Sequence, residues 1–113
     1  MARQAKAVLK NAKVSPKKAR PVADAIRGKG VDEALKVVRF SKKKAAEFLQ
    51  QTLESAIANA QHNHDMDLDN LKVEEVLVDQ GQKLKRLKPR ALGRADVVQK
   101  RSSHIKITLV EEE

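Results

Sequence analysis

The stretch that most restricts the fold is residues 82–101. It holds eight basic residues against the single acid Asp96, and it has no regular apolar face. A segment with so little to bury gains nothing by joining a hydrophobic core. The runs on either side of it do carry apolar faces. Residues 71–79 read as a strand whose alternation slips at Glu74-Glu75, which predicts a bulge. Residues 95–110 read as a second strand. Ala95, Val97, Ile105, Ile107 and Leu109 share one parity there, and Lys100, His104, Lys106 and Thr108 share the other. A hairpin is the simplest connection, with Pro89 and Gly93 near its turn. About ten residues per arm at ~3.3 Å each reach roughly 30 Å. The expectation is a projecting cationic arm that takes its order from a partner.

The core must come from the remainder. A chain of 113 residues suits one domain. Its globular part is expected at 1–80 and 102–113, and its arm at 81–101. Fifteen of the apolar residues are Ala, so the core is modest. Ala5, Ala7 and Leu9 alternate with Lys6, Val8 and Lys10, the pattern of a strand with a basic outer face. Ser15-Pro16 reads as a helix start, with Ser15 as N-cap and Pro16 in the first helical position. Ala19, Val22, Ala23 and Ile26 follow at helical spacing, and Gly28 or Gly30 ends the helix. Pro21 predicts a kinked first turn, or a helix that settles only after it. Val31, Ala34, Leu35 and Val38 define a short second helix, with Asp32 and Glu33 at its positive end. Ser41 is expected to cap a third helix. Its stripe is Ala45, Phe48, Leu49, Thr52, Leu53, Ala56, Ile57 and Ala60. Lys42, Lys43 and Lys44 fall in its expected first turn, where each cation costs about a few tenths of a kcal/mol. Stability alone does not put them there, which points to phosphate contacts. Residues 62–67 read as a loop.

The formal net charge of +9 is unevenly spread: +11 over residues 1–44, −7 over 45–81 and +5 over 82–113. Two basic regions around an acidic middle call for a polyanionic partner. Two Phe with no Tyr or Trp do not build a stacking platform for single strands. The expected mode is recognition of folded nucleic acid through phosphates and shape. The absence of Cys excludes disulfides, thiol catalysis and Cys-ligated zinc. His62, His64, Asp65 and Asp67 have no second ligand cluster to complete a metal site. Asp65, Asp67 and Asp69 lack the Gly and the terminal Glu of a calcium loop. With no nucleophile elbow and no Gly-rich phosphate loop, neither an enzyme nor a cofactor is expected. No apolar run approaches the roughly 18 residues of a membrane span. The start Met-Ala-Arg-Gln-Ala-Lys lacks a signal peptide's apolar stretch, so a cytoplasmic protein without membrane insertion is expected.

The segment Lys85-Arg86-Leu87-Lys88-Pro89-Arg90-Ala91-Leu92-Gly93-Arg94-Ala95-Asp96, followed by Lys100-Arg101-Ser102-Ser103-His104-Ile105, resembles the signature of one family. That family is ribosomal protein twenty-two of the bacterial large subunit. Ser15-Pro16-x-Lys18-Ala19-Arg20 and Ile26-Arg27-Gly28 are similar to its first helix. Leu53-Glu54-Ser55-Ala56-Ile57-Ala58-Asn59-Ala60 resembles the end of its long helix, and Val78-Asp79-x-Gly81 its entry into the hairpin. The motifs stand in the family's order over nearly the whole chain. Pro21, Gln82 and Leu92 depart from its commoner residues.

The resemblance implies an α+β fold: a three-stranded antiparallel sheet packed against three helices, with one long protruding basic β-hairpin. It implies a structural constituent of the large subunit that binds 23S-type rRNA, supports assembly and reaches the wall of the nascent-polypeptide exit tunnel. The partners implied are rRNA, neighbouring large-subunit proteins and, at the hairpin tip, the nascent chain; no homo-oligomer is expected. On this reading Lys83, Lys85, Arg86, Lys88, Arg90, Arg94, Lys100 and Arg101 neutralise rRNA phosphates. Lys6, Lys10, Lys17, Lys18 and Arg20, with Arg3 and Lys13, form a second basic surface, and Lys42, Lys43 and Lys44 add to the phosphate contacts. Leu87, Lys88, Pro89, Arg90, Ala91, Leu92 and Gly93 make the tunnel-facing tip. His104 is expected to pack or to contact phosphate, not to catalyse. The acidic middle is expected to face away from RNA. The competing reading is a free-standing architectural nucleic-acid-binding protein or RNA chaperone.

Overall fold

The computed structural model describes residues 4–66, 68–81, 84–89, 95–100 and 102–111. The chain runs β1 (Gln4–Ala12), α1 (Pro16–Ile26), α2 (Val31–Phe40), α3 (Lys44–His64), a 3-10 turn (Leu68–Asn70), β2 (Leu71–Gln80), β3 (Leu84–Pro89), β4 (Ala95–Lys100) and β5 (Ser103–Glu111). β5 is the central strand of a three-stranded sheet ordered β1-β5-β2, antiparallel throughout. β3 and β4 form a separate antiparallel ladder. The helices pack on one face of the sheet, α3 chiefly over β1 and β5 and α1 over β2. This is the expected α+β architecture.

The core follows from the two periodicities. Ile105, Ile107 and Leu109 of β5, with Val73 and Val76 of β2, are fully buried on the helix side. Ala19, Val22, Ala23 and Ile26 of α1 meet them, as do Leu49, Leu53, Ala56 and Ala60 of α3. Small Ala residues at these positions let the helices approach the sheet closely. The slip at Glu74 is a bulge: the register shifts between Val73 and Glu75, which keeps Val76 and Val78 buried beyond it. A second irregularity, between Leu9 and Ala12, holds Asn11 at φ 58°.

Both sheet edges are partly occupied. Arg27 donates to the carbonyl of Val76 at 2.6 Å, and the Gly28 N–H donates to that of Val73 at 2.9 Å. At the other edge, Asn59 of α3 donates to the carbonyl of Lys6 at 2.8 Å. These groups take up backbone acceptors that would otherwise invite another strand.

Several local expectations change. Ser15 sits at the N-cap of α1, but its side chain caps nothing; its carbonyl accepts from Lys18 and Ala19 instead. The helix begins at Pro16 and runs through Pro21, so it does not wait for the proline. Pro21 and Lys17 are both exposed, so water can take the Lys17 carbonyl that loses its helical donor. Gly28, at φ +82°, ends α1 as expected. The N-cap of α3 is Lys43 rather than Ser41, whose hydroxyl accepts from the Lys43 N–H at 3.3 Å. Only Lys44 of the three lysines lies inside α3. That helix also runs three residues into the expected loop, to His64. Asp65 then turns left-handed at φ 48°, and the Met66 N–H closes onto the Ala60 carbonyl with the Met66 side chain buried. Finally, 95–110 is not one strand: β4 and β5 are separate and lie in different ladders.

Candidate nucleic-acid interface

The arm is built on the β2–β5 pair. Gln80 faces Ser103, and the Gly81 N–H donates to the Ser102 carbonyl at 2.8 Å. The ladder resumes with Leu84 opposite Lys100 and ends with Pro89 opposite Ala95. The Gly81–Ser102 and Leu84–Lys100 pairs differ in register by one residue. β3 and β4 pack chiefly on each other. The chain's longest dimension is 65 Å and its radius of gyration 17.1 Å, against about 13 Å for a compact chain of 100 residues. Lys85, Arg86, Leu87, Lys88 and Pro89 lie on β3, and Lys100 on β4. Lys83, Arg90, Ala91, Leu92, Gly93, Arg94 and Arg101 lie outside the described residues, as do Arg3 and Asp67.

The base of the arm is locked by side chains the motif carries. A Cβ at Gly81 would lie 2.5 Å from Ser102 Oγ and 3.2 Å from its carbonyl carbon, so the strands approach too closely there for a larger residue. Ser103, fully buried, donates to the Val14 carbonyl at 2.6 Å. His104 Nδ1 accepts the backbone N–H of Asn11 at 3.1 Å, at the β1 irregularity. The two side chains tie the arm's exit to the end of β1 and to the turn that follows it. His104, half-buried, thus helps to hold the base of the arm.

The second basic surface divides in two. Lys6 and Lys10 are exposed on the face of β1 away from the helices. Lys13, Lys18, Lys43 and Lys44, with Val14, Ser15, Pro21 and Ala45, line one open cleft of about 600 Å³ between the start of α1 and the start of α3. Segments 25 or more residues apart thus bring four ammonium groups to one concavity, where their fields add. Pro21, the odd residue in α1, forms part of its wall. Lys17 and Lys42 are exposed but do not line the cleft. Arg20 is also exposed, and one of its guanidinium N–H groups lies 3.5 Å from the Val78 carbonyl. Sequence spacing marked each lysine as basic surface; it did not show that these four share a cleft.

Among the described residues no group of three or more His, Cys, Asp or Glu is placed to hold a metal ion. No helix among them is long and apolar enough to cross a membrane.

Fold and charge define a class: a small basic α+β protein whose two-stranded arm leaves its core. The comparisons with known proteins are more specific. The family model for ribosomal protein L22p/L17e matches residues 7–110. The protein named large ribosomal subunit protein uL22 from Desulfitobacterium hafniense strain DSM 10664 / DCB-2 is 53% identical over 108 residues, 96% of this chain and 95% of the relative. That of strain Y51 is 52% identical over the same shares, and that of Desulforamulus reducens 51% over 94% of each chain. The chain belongs to the ribosomal protein L22p/L17e family, whose role is structural and not enzymatic.

Proposed function

We propose that this chain is a structural constituent of the large ribosomal subunit in the cytoplasm. It binds 23S-type rRNA through two basic surfaces, the β3–β4 arm and the four-lysine cleft with its neighbours, and it supports subunit assembly by holding rRNA segments together. The arm's tip, residues 87–93, extends to the wall of the nascent-polypeptide exit tunnel. The observation that carries the reading is the arm itself. A basic two-stranded ladder packed chiefly on itself is poorly stabilised in water and well suited to a groove between RNA helices. Each lysine or arginine set against a phosphate releases counterion and adds affinity that salt removes.

Sedimentation of a cell lysate through sucrose at high salt tests this. Co-migration with large subunits, in salt that strips loosely bound basic proteins, is the expected result. Release to the top of the gradient would overturn it in favour of a free-standing architectural nucleic-acid binder.

A further inference from the structure

Phe40, the last residue of α2, is 83% exposed, against 54% for Val8 and 39% for Leu77. The chain's other aromatic, Phe48, packs against the core. Phe40 is not a core residue pushed aside. α2 buries Val31, Ala34 and Val38, and two residues beyond Val38 the helix has turned by about 200°. The ring therefore points away from the buried stripe. Exposing so much aromatic surface forfeits the burial that usually accounts for an aromatic residue.

Its surroundings state what the ring is for. Arg39 precedes it, and Lys42, Lys43 and Lys44 follow, all exposed. Arg39 reaches Glu54 only loosely, at 3.9 Å. Lys43 and Lys44 turn into the four-lysine cleft. A flat apolar face rimmed by cations fits a partner that presents flat apolar faces and negative charge together. An unpaired nucleotide does both within one unit. A protein partner would need an acidic rim around an apolar pocket.

Building on the rRNA-binding reading, we propose that Phe40 stacks on an unpaired base of large-subunit rRNA whose adjoining phosphate is held by Lys43 and Lys44. One ring is no platform for a long single strand, and it serves a single base flipped out of a folded RNA.

The test titrates the full chain and its variants with transcribed 23S-type rRNA across a range of salt. F40A is expected to weaken binding about tenfold. Its salt slope should match the wild type, because no charge is removed. F40Y should bind like the wild type, and F40L like F40A, since Leu offers no stacking face. F40W gives the chain its sole indole, whose emission should be quenched on binding. Wild-type affinity for F40A, or for F40L with F40A still weak, would overturn stacking. So would an indole emission unchanged by RNA. The first and last of these would redirect the search to an acidic protein partner. Absence of binding by the wild type would instead defeat the rRNA reading beneath the proposal. Thermal melts of each variant, expected to match the wild type, check that folding is intact.

Discussion

The β2–β5 pair and the β3–β4 ladder are two lengths of one hairpin, joined at Gly81 and Ser102. Their backbones pair alike, yet they are stabilised differently. In the inner length, Val73, Val76, Ile105, Ile107 and Leu109 are sealed under α1 and α3. The strands of the outer length pack chiefly on each other. Hydrogen-bonded pairing by itself leaves a two-stranded ribbon marginal in water. The inner length therefore belongs to the folding unit, and the outer length depends on an external surface for its stability. That is why the regular apolar face stops and the dense run of cations begins at the same place in the sequence.

Two changes should separate these roles. Excising 82–101 and joining Gly81 to Ser102 through an Asn-Gly turn should lower rRNA affinity by about 10³-fold or more at moderate salt, since eight cations leave with it. Its stability should change by less than about 1 kcal/mol, because little of the core is touched. Ile107→Ala should do the reverse. It opens a cavity in the central strand and costs about 2–5 kcal/mol, while the folded fraction binds RNA normally. Urea melts and filter binding on both proteins measure the exchange. An excised chain that fails to fold would break the division.

The junction itself should show an intermediate effect. Gly81→Ala sets a methyl against Ser102 Oγ and the Ser102 backbone. The strands must part by a few tenths of an ångström, at about 1 kcal/mol. Adding Ser102→Gly removes the side-chain clash and should recover part of the loss. A melting temperature for Gly81→Ala equal to the wild type would show that the close approach is not a constraint.

The sequence made the sheet legible because its alternation is strong and the slip in β2, at Glu74, carries two acids where an inward residue was due. The arm was legible for the opposite reason, a lack of any face to bury. Pro21 misled because the rule against proline counts a lost donor and does not ask whether the orphaned carbonyl is wet. Ser41 misled because its hydroxyl accepts the Lys43 backbone N–H in a turn before the helix, which begins at Lys44, two residues later than expected. The four-lysine cleft was not legible, since it depends on how α1 and α3 cross the sheet. Phe40 did carry a signal. It stands off the stripe of Val31, Ala34, Leu35 and Val38, and an aromatic off-stripe on an amphipathic helix is an exposed aromatic.

The smallest effect concerns the acidic middle, which the arm and the cleft leave unassigned. Glu47, Glu54, Asp65, Asp69, Glu74, Glu75 and Asp79 are exposed. If this side faces away from rRNA, its charges act on RNA only at long range and through screening salt. Changing Asp65, Asp67 and Asp69 together to Asn removes three negative charges. It also leaves a residue that tolerates the left-handed turn at position 65, where φ is 48°. Affinity for rRNA should then stay level or rise by less than about threefold, with a melting temperature close to the wild type. A marked fall in affinity with folding intact would mean that the acidic loop meets RNA directly, through hydrogen bonds accepted by its carboxylates or through metal-bridged contacts. The two basic surfaces would then no longer account for recognition by themselves.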